Sequence, residues 1–265
     1  MHLRRIVVAA LVIPLLYLYI TKLPPVFFLI LLMAVAAAAQ IEFYKMYRTA
    51  KTVSFIGIVT GIFILGSSYF PPREGLSVSV LFIIFTVSFI LISTARLFIR
   101  KDPSSSLKDI SPAVTGLLYI PTLLLAQWYL RLEGYEWIIL LYGCVWASDS
   151  LAYYIGKGFG KRKLYQEVSQ NKTIAGAFGS VAGGILSALL LGSLMFKGMG
   201  IFVSTLIGGP IGSVTIVGDL VESMFKRDAG IKDSGALIPG HGGILDKIDG
   251  VLFAGPVLYW IKLIL

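Results

Sequence analysis

The chain has 265 residues, of which 57% are hydrophobic and only 14% are charged, and its formal net charge at pH 7 is +9. A soluble domain carries about 25% charged residues, so the composition excludes a water-soluble globular domain as the main body of this protein. The apolar residues form separate blocks, each near the roughly 20 residues that a bilayer requires. The sequence therefore predicts an all-α fold, a polytopic integral membrane helical bundle.

About nine apolar blocks are predicted to cross the membrane: residues 5–21, 25–43, 52–70, 76–99, 112–131, 134–155, 173–196, 199–223 and 243–265. We divide the chain into N-terminal transmembrane helices (1–100) and a C-terminal transmembrane catalytic region (101–265), with polar cytoplasmic loops at 157–172 and 224–242. The seventh block has glycines at a spacing typical of close helix packing in a bilayer, namely Gly176, Gly179, Gly183 and Gly184.

Lysine and arginine residues are distributed unevenly among the connections between these blocks. If the N-terminus is cytoplasmic, as Arg4 and Arg5 before the first span indicate, 17 of the 23 basic residues face the cytoplasm and 5 face the other side. This bias predicts a multi-pass protein of the cell (inner) membrane. It also explains the positive net charge without a nucleic-acid partner, since the basic loops face an anionic leaflet of membrane lipids.

A glycine-containing basic segment follows Asp149 at the cytoplasmic end of the sixth span. The run Gly156-x-Gly158-x-Gly160-Lys161 resembles a phosphate-binding loop only loosely, because it lacks the spacing and the Ser or Thr of a Walker A motif. A juxtamembrane basic loop is the alternative interpretation. Lys172 and Thr173, which open the seventh span, are a similar case. We take Asp149, Lys172 and Thr173 as candidate substrate-binding residues.

Carboxylates near the ends of the last two spans indicate a metal site. A spacing of i, i+3, i+4, i+7 places four polar side chains on one helical face, namely Asp219, Glu222, Ser223 and Lys226. Asp246 and Asp249 share a face of the next span. Carboxylates converging from two helices suit Mg²⁺, which prefers oxygen ligands and is often shared with substrate phosphates. The alternative is a salt bridge between helices, such as Lys226 with Asp246 or Asp249.

The connection between these two spans is polar, rich in glycine and charged with both signs. Charged groups at membrane depth are costly and are usually retained for function. Its basic groups, and a histidine within a glycine turn, are candidates for holding phosphates, namely Lys226, Arg227, Lys232 and His241. For His241, a hydrogen bond within the loop is the alternative.

Residues 223–249 carry a family resemblance. The pattern S-x-x-K-R-x4-K-D-x-G-x2-I-P-x-H-G-G-I-x-D-x-I-D resembles the C-terminal signature of the CDP-diacylglycerol synthases (phosphatidate cytidylyltransferases). The segments Asp149-Ser-Leu-Ala-Tyr-Tyr-Ile-Gly and Phe159-Gly-Lys-Arg-Lys-Leu also resemble a conserved block of that family. There are two departures: Lys247 stands where the family usually has Arg, and residues 169–176 lack the Pro, one Lys and the Glu of the block S-P-K-K-T-x-E-G.

The resemblance implies that CTP and phosphatidic acid react, with Mg²⁺, to give CDP-diacylglycerol and pyrophosphate at the cytoplasmic face of the membrane. It leaves a second cation open and implies a homodimer. The metal ligands are then Asp219, Asp246 and Asp249. The catalytic residues are Asp219, Asp246, Lys226 and Arg227. Substrate phosphates are held by Ser223, Lys226, Arg227, Lys232 and His241.

Other functions stay open at this point. A CTP-dependent lipid-alcohol kinase is one. A CDP-alcohol phosphotransferase is another, although Asp249-Gly250 does not continue into the pattern typical of that family. A cation-coupled transporter is a third; it would place acids near the midplane in repeated halves, whereas here they cluster at one face and no repeat is visible.

Overall fold

A computed structural model describes residues 14–70, 78–235 and 242–265. It is a bundle of α-helices, which confirms the predicted fold class. In chain order the helices are α1 (14–22), α2 (Pro25–Met46), α3 (Lys51–Ser67), α4 (Val78–Arg100), α5 (Ser106–Tyr119), α6 (Pro121–Glu133), α7 (Tyr135–Phe159), α8 (Ile174–Met195), α9 (Ile201–Asp228) and α10 (Leu245–Ile264).

Six helical segments in the described ranges are long and apolar enough to cross a membrane: Pro25–Met46, Ser79–Arg100, Ser106–Glu133, Tyr135–Phe159, Ile174–Met195 and Ile201–Asp228. Two further predicted spans correspond to α3, a shorter apolar helix, and to α10, which begins with charged residues. The predicted first span lies partly outside the described residues. The total of nine spans therefore stays a prediction.

The predicted span 112–131 is divided in the structure into two helices, α5 and α6, which meet at Ile120. Pro121 causes the break, because proline has no N–H to continue the helical ladder and disfavours helical backbone in the residue before it. Ile120 has φ −103° and ψ −75°, which departs from regular α-helical backbone. The two helices together still cover the length of one span.

Glycine faces bring α7, α8 and α9 into close contact, as their spacing in the sequence predicts. A Cβ atom on Gly183 would lie 2.5 Å from the carbonyl oxygen of Ala147 on α7. Ser180 on α8 donates a hydrogen bond of 2.7 Å to the carbonyl of Gly212 on α9. Gly218 makes a similar approach to α10, where a Cβ would lie 2.5 Å from the carbonyl oxygen of Asp249. These contacts determine how near the polar faces of the four helices lie.

A β-hairpin joins α7 to α8, where the sequence predicts a loop at 157–172. Strands β1 (Lys163–Tyr165) and β2 (Ser169–Thr173) pair antiparallel, with Lys163 opposite Thr173 and Tyr165 opposite Ser169. The glycine run 156–160 is largely helical, because α7 continues to Phe159, and Gly156 packs against Gly176. The predicted loop 224–242 also begins later, since α9 extends to Asp228.

The connections predicted to be cytoplasmic lie together at one end of the bundle. Tyr47, after α2, donates a hydrogen bond to the carbonyl of Phe225 near the end of α9. Arg227 donates to the carbonyl of Val168 in the hairpin. At the other end, Lys262 of α10 pairs with Glu133 of α6 at 2.7 Å. The bundle therefore has two chemically different ends, and the polar residues of interest are at the first.

Candidate active site

A cavity of about 650 Å³ opens between the C-terminal part of α7, the hairpin, the start of α8 and the middle of α9. Two carboxylates line it, Asp149 and Asp219, and so do three lysines, Lys157, Lys163 and Lys172. Lys157 and Lys163 are not among the sequence-predicted candidates, because the sequence does not reveal that the end of α7 and the hairpin line one cavity with α8 and α9. The cavity lining therefore combines anionic and cationic groups.

Lys172 and Thr173 lie at the junction of β2 and α8, and the structure brings both to this cavity. The ammonium of Lys172 forms an ion pair with Asp219. The Thr173 hydroxyl caps α8 by accepting a hydrogen bond of 3.1 Å from the Gly176 N–H. Thr173 thus shapes the N-terminus of α8, where the helix dipole favours anions. Lys172 provides a cation beside it.

Three carboxylates converge behind the cavity: Asp219 and Glu222 from α9 and Asp249 from α10. One oxygen of each lies within 4.8 Å of the others. Glu222 is 1% exposed, and its Oε1 atom has no hydrogen-bond partner in the described parts of the chain. Asp249 also lies within electrostatic reach of Asp149 and Lys172, which joins this group to the cavity. The sequence predicts Asp246 in this set, whereas the structure has Glu222 there.

Lys226 is buried between two carboxylates. Its Nζ atom lies 2.5 Å from Glu222 Oε2 and 2.7 Å from Asp246 Oδ1. This is the salt bridge between helices that the sequence leaves open as an alternative to phosphate binding. A buried ion pair is costly to break, because removing one partner leaves the other charge uncompensated. The geometry gives Lys226 a positioning role, and a phosphate contact by Lys226 stays a prediction.

Asp246 and Glu42 organise the start of α10. One Asp246 oxygen accepts from the N–H of Gly243 at 2.8 Å and from the N–H and hydroxyl of Ser234 at 3.1 Å and 2.9 Å. Glu42, 4% exposed on α2, accepts from the N–H groups of Ile244 at 3.0 Å and Leu245 at 2.9 Å. Sequence reasoning missed Glu42, although an acid at the end of the apolar run 25–43 was a usable signal.

Ser223 and Arg227 extend the polar face of α9. The Ser223 hydroxyl lies 3.3 Å from Asp219 Oδ1, so it contacts a member of the carboxylate group. Arg227 donates to the carbonyls of Val168 at 3.3 Å and Ile231 at 2.9 Å, which fastens the hairpin to the end of α9. Neither Ser223 nor Arg227 is among the residues that line the cavity. Their phosphate contacts stay predictions.

Two further candidates lie in the connection from α9 to α10. Lys232 is exposed, in an irregular segment after the end of α9. His241 lies outside the described residues, so its predicted phosphate contact cannot be compared with the structure. The structure does bring together the candidates on α7, α8, α9 and α10 at one end of the bundle, namely Asp149, Lys172, Thr173, Asp219, Lys226, Asp246 and Asp249.

This arrangement can bind a polyphosphate in two ways at once. The lysines and the capped N-terminus of α8 attract phosphate oxygens. The three clustered carboxylates beside them can hold a divalent cation that is shared with those oxygens. The glycine contacts between the helices allow these two groups to lie side by side. Such a site suits transfer of a phosphoryl or nucleotidyl group, in which charge repulsion is the main barrier.

Comparisons with known proteins agree with this chemistry. A family profile described as "Cytidylyltransferase family" matches residues 3–265 of the chain. The phosphatidate cytidylyltransferase of Bacillus subtilis is 34% identical over 255 residues, which cover 91% of this chain and 89% of that protein.

Two other relatives match over shorter segments. The phosphatidate cytidylyltransferase of Synechocystis sp. is 43% identical over 127 residues, covering 48% of this chain and 43% of that protein. The one from Staphylococcus epidermidis is 36% identical over 176 residues, covering 65% of each chain. With these two relatives, the match spans less than two thirds of their length.

Proposed function

This chain belongs to the cytidylyltransferase family, and on that premise we propose that it is an integral membrane enzyme that converts CTP and phosphatidic acid to CDP-diacylglycerol and pyrophosphate. The observation that carries the proposal is a cavity at one end of an apolar helix bundle, which three lysines (Lys157, Lys163 and Lys172) and two carboxylates (Asp149 and Asp219) line together. Such a position lets a lipid substrate enter from the membrane and a nucleotide enter from water.

The reaction needs little acid or base chemistry. A phosphate oxygen of phosphatidic acid attacks the α-phosphorus of CTP and forms a new P–O bond. The bond from that phosphorus to the bridging oxygen breaks, and pyrophosphate leaves with the electron pair. The nucleophile is already an anion, so the site has to overcome repulsion between anions and to stabilise the charge on the leaving group.

The lysines of the cavity supply this stabilisation. Lys172 and the capped start of α8 lie on one wall, while Lys157 and Lys163 approach from α7 and β1. Phosphate oxygens that accept from these groups gain charge-assisted hydrogen bonds, which are stronger than neutral ones. The ion pair between Lys172 and Asp219 holds the ammonium in the cavity before substrate arrives.

The cluster of three carboxylates, Asp219, Glu222 and Asp249, fits Mg²⁺. Three carboxylate oxygens within 4.8 Å of one another are the hard donors that this ion prefers, and Glu222 Oε1 is buried without a hydrogen-bond partner in the described structure. We assign Asp219, Glu222 and Asp249 as its holders, and Asp246 as the residue that orients Lys226 beside them. Mg²⁺ bound there would offset the negative charge of the CTP phosphates and of the departing pyrophosphate.

The proposal also includes a location and an assembly. The basic connections at the site end favour the cytoplasmic side of the cell membrane, by the positive-inside rule. CTP is a soluble nucleotide, so this side also agrees with the substrate. The family resemblance supports a homodimer, and a second cation stays open.

An enzyme assay tests the proposal directly. Purified protein in detergent is incubated with CTP labelled at the α-phosphate, with Mg²⁺ and with phosphatidic acid. We expect a labelled lipid and one pyrophosphate for each lipid formed. Replacing phosphatidic acid with diacylglycerol and labelling CTP at the γ-phosphate tests for a CTP-dependent lipid-alcohol kinase. Adding a free alcohol to CDP-diacylglycerol that is labelled in its diacylglycerol part tests for a CDP-alcohol phosphotransferase. A labelled product only in one of these two controls contradicts the proposal.

A further inference from the structure

A second cavity, of about 250 Å³, lies apart from the candidate active site. It is enclosed by the turn between α2 and α3 and by the connection between α4 and α5. Tyr47, Arg48 and Thr49 line one side, and Arg100, Ser105, Lys108 and Asp109 line the other. Both sides lie where candidate membrane spans end, at Met46 and Arg100.

The lining of this cavity has an excess of positive charge. Arg48, Arg100 and Lys108 contribute cations, and Asp109 is the single carboxylate. That carboxylate is already neutralised, because the buried Arg96 binds it at 2.6 Å and Arg100 binds it at 3.1 Å. The six ion pairs of the described structure include neither Arg48 nor Lys108. Two cations therefore face this space without an acidic partner in the described ranges.

Neutral donors add to the cations. Ser105 precedes α5 as its N-cap residue and its side chain makes no cap, so it satisfies none of the first-turn N–H groups, which have no partners within the helix. The Thr49 hydroxyl oxygen is buried with no hydrogen-bond partner in the described regions. Arg48 and Ser105 both have left-handed backbone, with φ of 52° and 59°, which is uncommon for residues other than glycine. The surrounding structure therefore holds both lining segments in an unfavourable conformation.

We propose that this cavity is a second anion site, which takes the phosphate group of a ligand that is not the nucleotide substrate. Cations, helix N–H groups and a hydroxyl are the donors that phosphate accepts from. The position at the ends of two spans favours the headgroup of an anionic lipid, since basic pockets between membrane helices bind such headgroups. Free phosphate has the same chemistry and is the other source.

The site has a direct connection to α9. Tyr47 lines the cavity, and its hydroxyl donates to the carbonyl of Phe225, one residue before Lys226. A ligand bound in the second site would therefore contact the residue, Tyr47, that is hydrogen-bonded to the C-terminal end of α9, where Lys226 and Arg227 lie. The binding proposal does not depend on this connection or on the proposed reaction.

Native mass spectrometry of the protein in detergent tests the proposal. The probes are dioctanoyl phosphatidylglycerol, dioctanoyl phosphatidylcholine and inorganic phosphate, each titrated separately. The test variant is Arg48→Gln with Lys108→Gln, which removes two lining cations and keeps a polar side chain at each position. The matched control is Lys45→Gln with Lys51→Gln, which removes two exposed cations near the cavity that do not line it.

We expect the wild type and the control to retain one phosphatidylglycerol with similar affinity. The test variant should bind it with an affinity lower by about tenfold or more. Phosphatidylcholine should bind weakly to all three. If inorganic phosphate binds with this dependence on Arg48 and Lys108 and phosphatidylglycerol does not, the ligand is free phosphate. Equal binding by the test variant and the wild type would overturn the proposal, and so would an equal loss in the control. An unchanged thermal midpoint shows that the test variant is folded.

Discussion

The N–H of Leu245 donates a hydrogen bond of 2.9 Å to Glu42, which lies 203 residues earlier in the chain. Ile244 donates to the other oxygen of the same carboxylate at 3.0 Å. A carboxylate at a helix N-terminus satisfies N–H groups that have no intrahelical partner and complements the helix dipole. Glu42 thus fixes the start of α10, the helix that carries Asp246 and Asp249.

Replacing Glu42 with Gln should therefore lower activity, because the start of α10 would be held less firmly in place. The neutral amide accepts more weakly, and a lost buried hydrogen bond to a charged group costs about 1–3 kcal/mol. We expect a lower thermal midpoint and a lower kcat, with little change in the KM for CTP. Glu42→Asp should recover part of both losses. Thermal unfolding and steady-state kinetics measure these effects.

The matched control is Glu133→Gln, which removes a carboxylate from a partly exposed ion pair with Lys262 at the other end of the bundle. Surface ion pairs contribute little to stability, so this variant should behave like the wild type. A positioning role for Glu42 is untenable if Glu42→Gln keeps the kcat and thermal midpoint of the wild type.

The carboxylates should separate into two groups in a Mg²⁺ titration. Asp219→Asn and Asp249→Asn remove proposed ligands, so the Mg²⁺ concentration for half-maximal rate should rise on the order of tenfold or more. Asp246→Asn instead weakens the ion pair with Lys226 and should lower the maximal rate at every Mg²⁺ concentration. Glu167→Gln, at an exposed position in the hairpin turn, is the control. Rescue of Asp246→Asn by added Mg²⁺ would place Asp246 among the ligands.

Lys172 should contribute strongly to substrate binding. Replacing it with Ala removes a charge-assisted contact to phosphate, so kcat/KM for CTP should fall by about ten- to a hundredfold. Lys161→Ala removes an exposed cation from the same connection that does not line the cavity, and should change kcat/KM by less than about threefold. Kinetics at saturating phosphatidic acid measure both variants. Equal effects would indicate general surface charge in place of a specific contact.

The orientation can be tested by cysteine labelling. In a Cys144→Ala background, Ser105→Cys should react with a membrane-impermeant maleimide only from the cytoplasmic side. Lys197→Cys should react only from the opposite side. Both positions are exposed and lie in connections at different ends of the bundle. The reverse pattern would place the candidate active site on the outer face.

Much of this protein could be predicted from local sequence. Apolar blocks of bilayer length predict membrane helices, because every backbone polar group must be satisfied within the segment. The i, i+3, i+4, i+7 spacing from Asp219 to Lys226 predicts one helical face, which α9 has. The glycine spacing of α8 predicts close packing, which the contact between Gly183 and Ala147 confirms.

Only the tertiary structure decided which polar groups meet. The periodicity of a helix shows which side chains share its face, but not the depth at which the next helix presents its own. That depth follows from the close approach of Gly218 to Asp249. With the helices at this depth, Glu222 and not Asp246 joins Asp219 and Asp249 in the cluster of three carboxylates. The contact of Glu42 with Leu245 joins residues far apart in the chain, and no local pattern encodes it. Such pairings arise from packing between distant helices, which a single sequence does not reveal.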